Sequence, residues 1–207
     1  RSANIKISAN LNSELLNVNC DGLLVSSPLG FSPLGLLRNE LERNDPASLE
    51  LLDNKCRYFD NSKDFIIAGF QLNAQKKILL APNQNSNYYK TNSPVGNDIW
   101  LDFLYASTYY SLALASTLNI KRLGITHSLQ GIDKRFIYCI GDAIGLYSDS
   151  YVGNTIKEII FTGCCFNQDN LSSLFHLNHE GAFTSHREIS NERFDYLGMN
   201  CIKINLV

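Results

Sequence analysis

Seven short apolar runs punctuate this chain, and several of them lack any alternation with polar residues. They are Ile5–Ile7, Gly22–Val25, Phe65–Ala68, Lys77–Ala81, Leu123–Thr126, Ile159–Thr162 and Cys201–Leu206. A strand with one face in water alternates apolar with polar; a run that is apolar throughout belongs to a strand covered on both faces. Helical patterns lie between the runs. Ser32-Pro33 reads as an N-cap and first helical position opening a helix over Leu34–Glu42, and Asp45-Pro46 repeats that signal ahead of Leu49, Leu51 and Leu52. The longest helix is expected from Asp98 to Leu118, with Trp100, Phe103, Leu104, Ser107, Ser111, Leu114 and Leu118 on one stripe. A second amphipathic helix places Phe136, Ile137, Ile140, Ala143, Ile144 and Tyr147 at helical spacing, and a short third one carries Leu171, Leu174 and Phe175. Strands alternating with helices in this way predict a three-layer α/β/α sandwich around a mixed sheet.

The 207 residues suit one domain, expected over 3–207, with Arg1-Ser2 as a cloning remnant. Eighteen Lys and Arg against twenty Asp and Glu leave a formal charge of −2. That balance argues against nucleic acid as a partner, because such proteins carry a basic domain or stripe. No apolar run reaches the roughly 20 residues that cross a bilayer, and no signal segment opens the chain, so no membrane contact is expected of this segment. The six cysteines include the adjacent Cys164-Cys165 and form no CxxC pair. They read as reduced thiols of an intracellular, cytoplasmic protein.

Candidate chemistry concentrates at two strand exits. The P-loop and dinucleotide-binding glycine motifs are absent, and so is GxSxG. Val25-Ser26-Ser27-Pro28-Leu29-Gly30 runs from a buried strand toward a helix start, and Thr126-His127-Ser128-Leu129-Gln130-Gly131-Ile132-Asp133 does the same. Open α/β sheets bind ligands outside the carboxyl ends of their strands, where amides at helix starts accept phosphate without a lysine. The same small residues also make ordinary turns. His127 ends a buried strand and reads either as a ligand contact or as a satisfied core histidine. His176, His179 and His186 lack metal-site spacing and read as surface residues, so no metal is expected. Asp142 and Asp149 read as solvent-facing.

The order of these elements resembles a macro domain, the ADP-ribose-binding α/β/α fold, over most of residues 4–177. Ile7-Ser8-Ala9-Asn10-Leu11 stands where that family has a strand ending in Gly-Asp-Ile. Cys20-Asp21-Gly22-Leu23-Leu24-Val25-Ser26-Ser27-Pro28 stands for its Val-Asp-Ala-Ile-Val-Asn-Ala-Ala-Asn stretch. Phe65–Leu72 and Lys76–Pro82 resemble its buried strand pair, and Ser128–Asp133 its Ser-Thr-Gly-Ile-Phe phosphate loop, with Gly131-Ile132 kept. Two departures are clear: Asn10 replaces the adenine-recognising aspartate, and Ser26, Ser27 and Pro28 replace the asparagines of the catalytic loop.

Among divergent macro domains the chain is most similar to sensor domains of Thoeris-type bacterial antiphage systems. The cues are Leu72–Pro82, the polar insertion over Gln84–Asn97 and the serine-for-asparagine loop. This resemblance implies an ADP-ribose derivative as ligand, made by a partner TIR-domain enzyme and bound without turnover. It further implies a membrane-spanning effector on a longer chain, and leaves self-association open. Asn10 would read adenine, with Leu11 beside it among the ligand-binding residues. Amides around Ser26, Ser27, Leu29 and Gly30, and around Ser128, Leu129, Gln130, Gly131 and Ile132, would hold the pyrophosphate. His127 and Asp133 complete the ligand-binding residues, and Phe166 would pack on a ring. No catalytic residue and no cofactor are implied. The alternatives are an ADP-ribosyl hydrolase, with His127 or Asp133 acting on a water, and an interaction module without a ligand.

Overall fold

The computed structural model describes residues 5–27, 35–57, 65–82, 94–127, 134–163, 166, 171 and 199–205. β1 (Lys6–Asn10) leads through a 3-10 turn at Leu15–Asn17 to β2 (Gly22–Ser27). There follow α1 (Leu36–Asn44), α2 (Pro46–Cys56), β3 (Phe65–Gln71), β4 (Lys77–Pro82) and α3 (Pro94–Thr117). β5 (Arg122–His127), α4 (Lys134–Ser150), β6 (Glu158–Thr162) and β7 (Met199–Asn205) complete the order. All seven predicted strands are present, in one sheet ordered β1-β6-β5-β2-β4-β3-β7. β1, β6, β5, β2 and β4 run parallel. β3 is antiparallel to β4 and parallel to β7, so the sheet is mixed.

Neighbouring positions on a strand feed different clusters, which identifies two buried faces. Leu24, Leu79, Ile125, Ile159 and Phe161 pack with Leu104, Leu112 and Ala115 of α3 and Ile137, Ile140 and Ile144 of α4. Leu23, Val25, Ile78 and Leu80 pack instead with Leu15, Leu37 and Leu41, and with Leu49 and Leu52 of α2. Helices cover both sides of the sheet, the three-layer arrangement that the unalternating strands imply.

Local chemistry explains the element boundaries. Asp45 caps α2, accepting the Ser48 amide at 3.2 Å, and Pro46 follows in the first turn, as expected. Arg38 forks onto both oxygens of Asp53 at 3.1 and 2.8 Å and locks α1 to α2. Three expectations are corrected. α1 starts at Leu36 behind Gly35 at φ 63°, with no side-chain cap, rather than at Ser32-Pro33. α3 begins at Pro94, inside the polar insertion over Gln84–Asn97, rather than at Asp98, because proline is at ease in a first helical turn. Asp149 is exposed but Asp142 is buried, since α4 is enclosed on every side from Cys139 to Gly145. Of the short third helix, only Leu171 is among the described residues.

Hydrogen bonds also tie the two helices of one layer together. On α3 the Ser116 hydroxyl bonds that of Tyr147 on α4, and Tyr147 donates to Asn154 Oδ1 at 2.9 Å. Burial pushes the Tyr147 phenol up to about 12 despite the Ser116 bond. Cys20, Cys56 and Cys139 are buried and pack as small, largely apolar side chains.

Candidate functional site

Five parallel strands end on the same edge of the sheet, and their last residues line it. Asn10 pairs with Thr162, Ser26 with His127, and Ser27 with Pro82. The chain leaves β5 toward β6 on one side and leaves β2 toward α1, α2 and β3 on the other. The outgoing connections therefore diverge between β2 and β5. This is a topological switch point, the place where open α/β sheets bind ligands outside the carboxyl ends of their strands. Both strand exits singled out from the sequence start at this point, on adjacent strands.

From β2 the edge continues through β5 and β6 to β1, three inter-strand spacings or about 14 Å. It ends at Asn10 and Leu11, which are half-buried. The segment after Leu11 is held by two buried charges. The Glu40 carboxylate of α1 accepts the Leu15 amide at 2.8 Å and the Leu16 amide at 3.0 Å. Lys76 Nζ donates to the Leu16 and Val18 carbonyls, both at 2.8 Å. Buried and half-buried backbone groups of this short segment are thereby satisfied by side chains. Glu40 also links the two site segments, since α1 follows the β2 exit.

His127 is 5% exposed, and alternation places it on the α3–α4 side with Leu123 and Ile125. Desolvation lowers its pKa from 6.5 to about 4, so the ring is neutral at physiological pH. On the opposite face, Thr126 and Thr162 are both buried. Gly163 follows Thr162 at φ 95°, and a Cβ there would stand 2.6 Å from Thr126 Oγ1 and 3.5 Å from Leu15 Cδ2. Both the backbone angle and the space demand glycine. Phe166 is buried, with its ring edge-on to Phe161 at 5.2 Å between centroids.

Asn10, Leu11, His127 and Phe166 are thus placed at or beneath one edge, and Ser26 and Ser27 are placed there by backbone. Leu29, Gly30 and Ser128–Asp133 lie outside the described residues, as do His176, His179 and His186. Among the described residues no three His, Cys, Asp or Glu side chains are grouped to hold a metal ion. No described helix is long and apolar enough to cross a membrane. Thr162 and Gly163 carry no motif that marks them in the sequence; a Thr-Gly step ending an Ile-Ile-Phe strand was the available signal.

No protein-family model matches the sequence, and no curated protein does. Solved structures do match in shape. The macro domain of ganglioside induced differentiation associated protein 2 superposes with a TM-score of 0.61 at 14% identity, over 86% of each chain. A mutant tomato leucine aminopeptidase matches at 0.55 and 13% identity, over 84% of this chain and 36% of that one. An alphavirus P23pro-zbd structure matches at 0.55 and 14% identity, over 90% of this chain. This chain spans only 36% of the aminopeptidase and 25% of the alphavirus chain. The likeness is one of fold: the chain has the α/β architecture of a macro domain.

Proposed function

We propose that this domain binds an ADP-ribose-type nucleotide along the carboxyl edge of its sheet and holds it without turnover. The observation that carries the reading is the adjacency of Ser26 and His127 at the switch point. It sets two small-residue exits side by side, where paired loops can cradle a pyrophosphate with backbone amides. Asn10, at the far end of the same edge, then meets the adenine through an amide side chain that both donates and accepts. The macro-type fold supports this ligand class.

A binding role is favoured over hydrolysis by the state of His127. A general base works best with a pKa near the operating pH. An imidazole at about 4 is a poor proton acceptor, and it is nearly closed off from solvent. In this reading the domain is a sensor, and the ligand is a nucleotide signal of the kind a TIR-domain enzyme releases. Calorimetric titration with ADP-ribose tests it, alongside mass spectrometry of small molecules that co-purify with the protein. Saturable binding with no consumption of an ADP-ribosylated substrate supports the sensor. Turnover would favour the hydrolase, and absence of any heat would favour an interaction module.

A further inference from the structure

Opposite the switch point, one strand length or about 17–20 Å away, the amino ends of the parallel strands form an edge of their own. A ladder of backbone bonds runs along it. The Lys6 amide donates to the Lys157 carbonyl at 2.9 Å, and the Lys157 amide to the Lys121 carbonyl at 2.7 Å. The Asp21 amide donates to the Arg122 carbonyl and the Lys77 amide to the Asp21 carbonyl, both at 2.9 Å. Strands β1, β6, β5, β2 and β4 therefore begin side by side, and all but β2 begin on or directly after a lysine or arginine. The row spans four inter-strand spacings, about 19 Å.

Its charge is one-sided. Lys6, Lys121 and Lys157 are exposed and Lys77 is half-buried. The carboxylates on the row, Asp21 and Glu158, are both committed within it. Asp21 Oδ2 accepts the Lys121 and Arg122 amides at 2.8 and 3.1 Å. Glu158 accepts the Ser8 hydroxyl at 2.8 Å and pairs with Lys6 and Arg122. Lys77, Lys121 and Lys157 remain as positive charge without a paired carboxylate among the described residues, in a chain whose formal charge is −2. Asp149, exposed in the last turn of α4, is the opposing charge nearest along the chain.

An apolar side chain stands at the same edge. Val152 lies on the turn that leads from α4 to Lys157 and is 94% exposed. Hydrogen bonds fix that turn. Asn154 Oδ1 accepts from Tyr147 at 2.9 Å and from the Ile156 amide at 2.8 Å, and Thr155 Oγ1 donates to the Ile120 carbonyl at 2.8 Å. A lone exposed valine is ordinary on any surface. Held among cations it has a specific use, because a row wider than any single phosphate fits a layer of anionic headgroups, with apolar chains just beneath. A nucleic acid or an acidic protein would answer the lysines and leave the valine in water.

We propose that the amino edge of the sheet is a docking surface for an anionic lipid bilayer, with Lys77, Lys121 and Lys157 on the headgroups and Val152 entering between them. Surface contact of this kind needs no spanning run. It uses the edge opposite the proposed nucleotide site and does not depend on that reading.

Co-sedimentation is measured with vesicles of phosphatidylcholine alone and of equal parts phosphatidylcholine and phosphatidylserine. Wild type should bind the mixed vesicles at low salt, lose them as salt rises, and leave the neutral ones unbound. Each lysine near such a surface contributes about fivefold, so Lys121→Glu with Lys157→Glu should weaken binding by at least about tenfold. Glutamine at both positions should give a smaller loss in the same direction. Lys55→Glu with Arg57→Glu, at exposed positions of α2 and its end, makes the same change in net charge and should bind as wild type. Val152→Ser should weaken binding about threefold. Melting temperatures confirm that each variant folds. Absence of wild-type binding to the mixed vesicles would overturn the proposal, and so would equal losses in the two glutamate pairs, since net charge alone would then explain them. Unchanged binding in Val152→Ser, or duplex DNA held by the same lysines in place of vesicles, would overturn it in favour of an acidic macromolecule.

Discussion

His127 on β5 is the register partner of Ser26 on the neighbouring β2, at a gap between strands whose outgoing connections part. The pairing brings together two exits that are 101 positions apart in sequence. It also leaves His127 inside the fold rather than on its rim, with consequences for stability as well as for binding.

The buried imidazole should make the domain acid-sensitive. Its pKa is depressed on folding, so between 6.5 and about 4 the unfolded chain binds a proton that the folded chain does not. Stability then rises with pH across that window and is lost as pH falls through it. The full effect of such a shift is about 3 kcal/mol. Urea denaturation at several pH values between 4 and 7 should show this slope, and His127→Gln should flatten it. An unchanged slope in the variant would mean that other groups govern acid unfolding.

Glu40 should behave as a structural carboxylate. Glu40→Ala leaves the Leu15 and Leu16 amides without their acceptor, and two charge-assisted bonds are lost at about 1.5–3 kcal/mol each before relaxation. A drop of about 2–4 kcal/mol in the free energy of unfolding is expected. Glu40→Gln retains one acceptor oxygen and should lose less. Equal losses in the two variants would show that packing, not acceptance, is what the side chain contributes.

Two glycines with almost the same backbone angle should respond differently to alanine. Gly153, at φ 96°, has nothing within 4 Å of an added Cβ, so Gly153→Ala should cost about 1–2 kcal/mol from conformation alone. Gly163, at φ 95°, meets Thr126 Oγ1 at 2.6 Å, and Gly163→Ala should cost clearly more. Paired chemical melts would check it. Equal costs would indicate that Thr126 moves aside freely.

Ligand binding should depend on Gly131 more than on its neighbour. Should the exit after β5 act as the proposed phosphate loop, the Gly131 amide would face the pyrophosphate, and a branched side chain would stand between backbone and ligand. Gly131→Val is expected to abolish the thermal shift that ADP-ribose gives the wild type, which is about 2.7 kcal/mol of stabilisation at 100 times Kd. Gln130→Ala should preserve most of it. Circular dichroism serves as the folding control, and a folded Gly131→Val that still binds would refute the loop assignment.

The strands, the helix stripes and the α/β class were legible in the sequence because they depend on short-range periodicity. Leu23-Leu24-Val25 or Ile159-Ile160-Phe161 states burial on both faces without reference to any partner. The Asp45-Pro46 start of α2 is equally local, since a cap and a first-turn proline act within one turn. Strand order is a different matter. That β2 lies between β5 and β4, and β6 between β1 and β5, follows from which apolar faces close over which helices, and no local window contains it. The same holds for the burial of Asp142 and the grip of Glu40 on Leu15. Each depends on atoms that sequence distance separates and the packed sheet brings together. The two exits could be read as loops of a suitable kind from their own residues; only the parallel register of β2 with β5 made them neighbours.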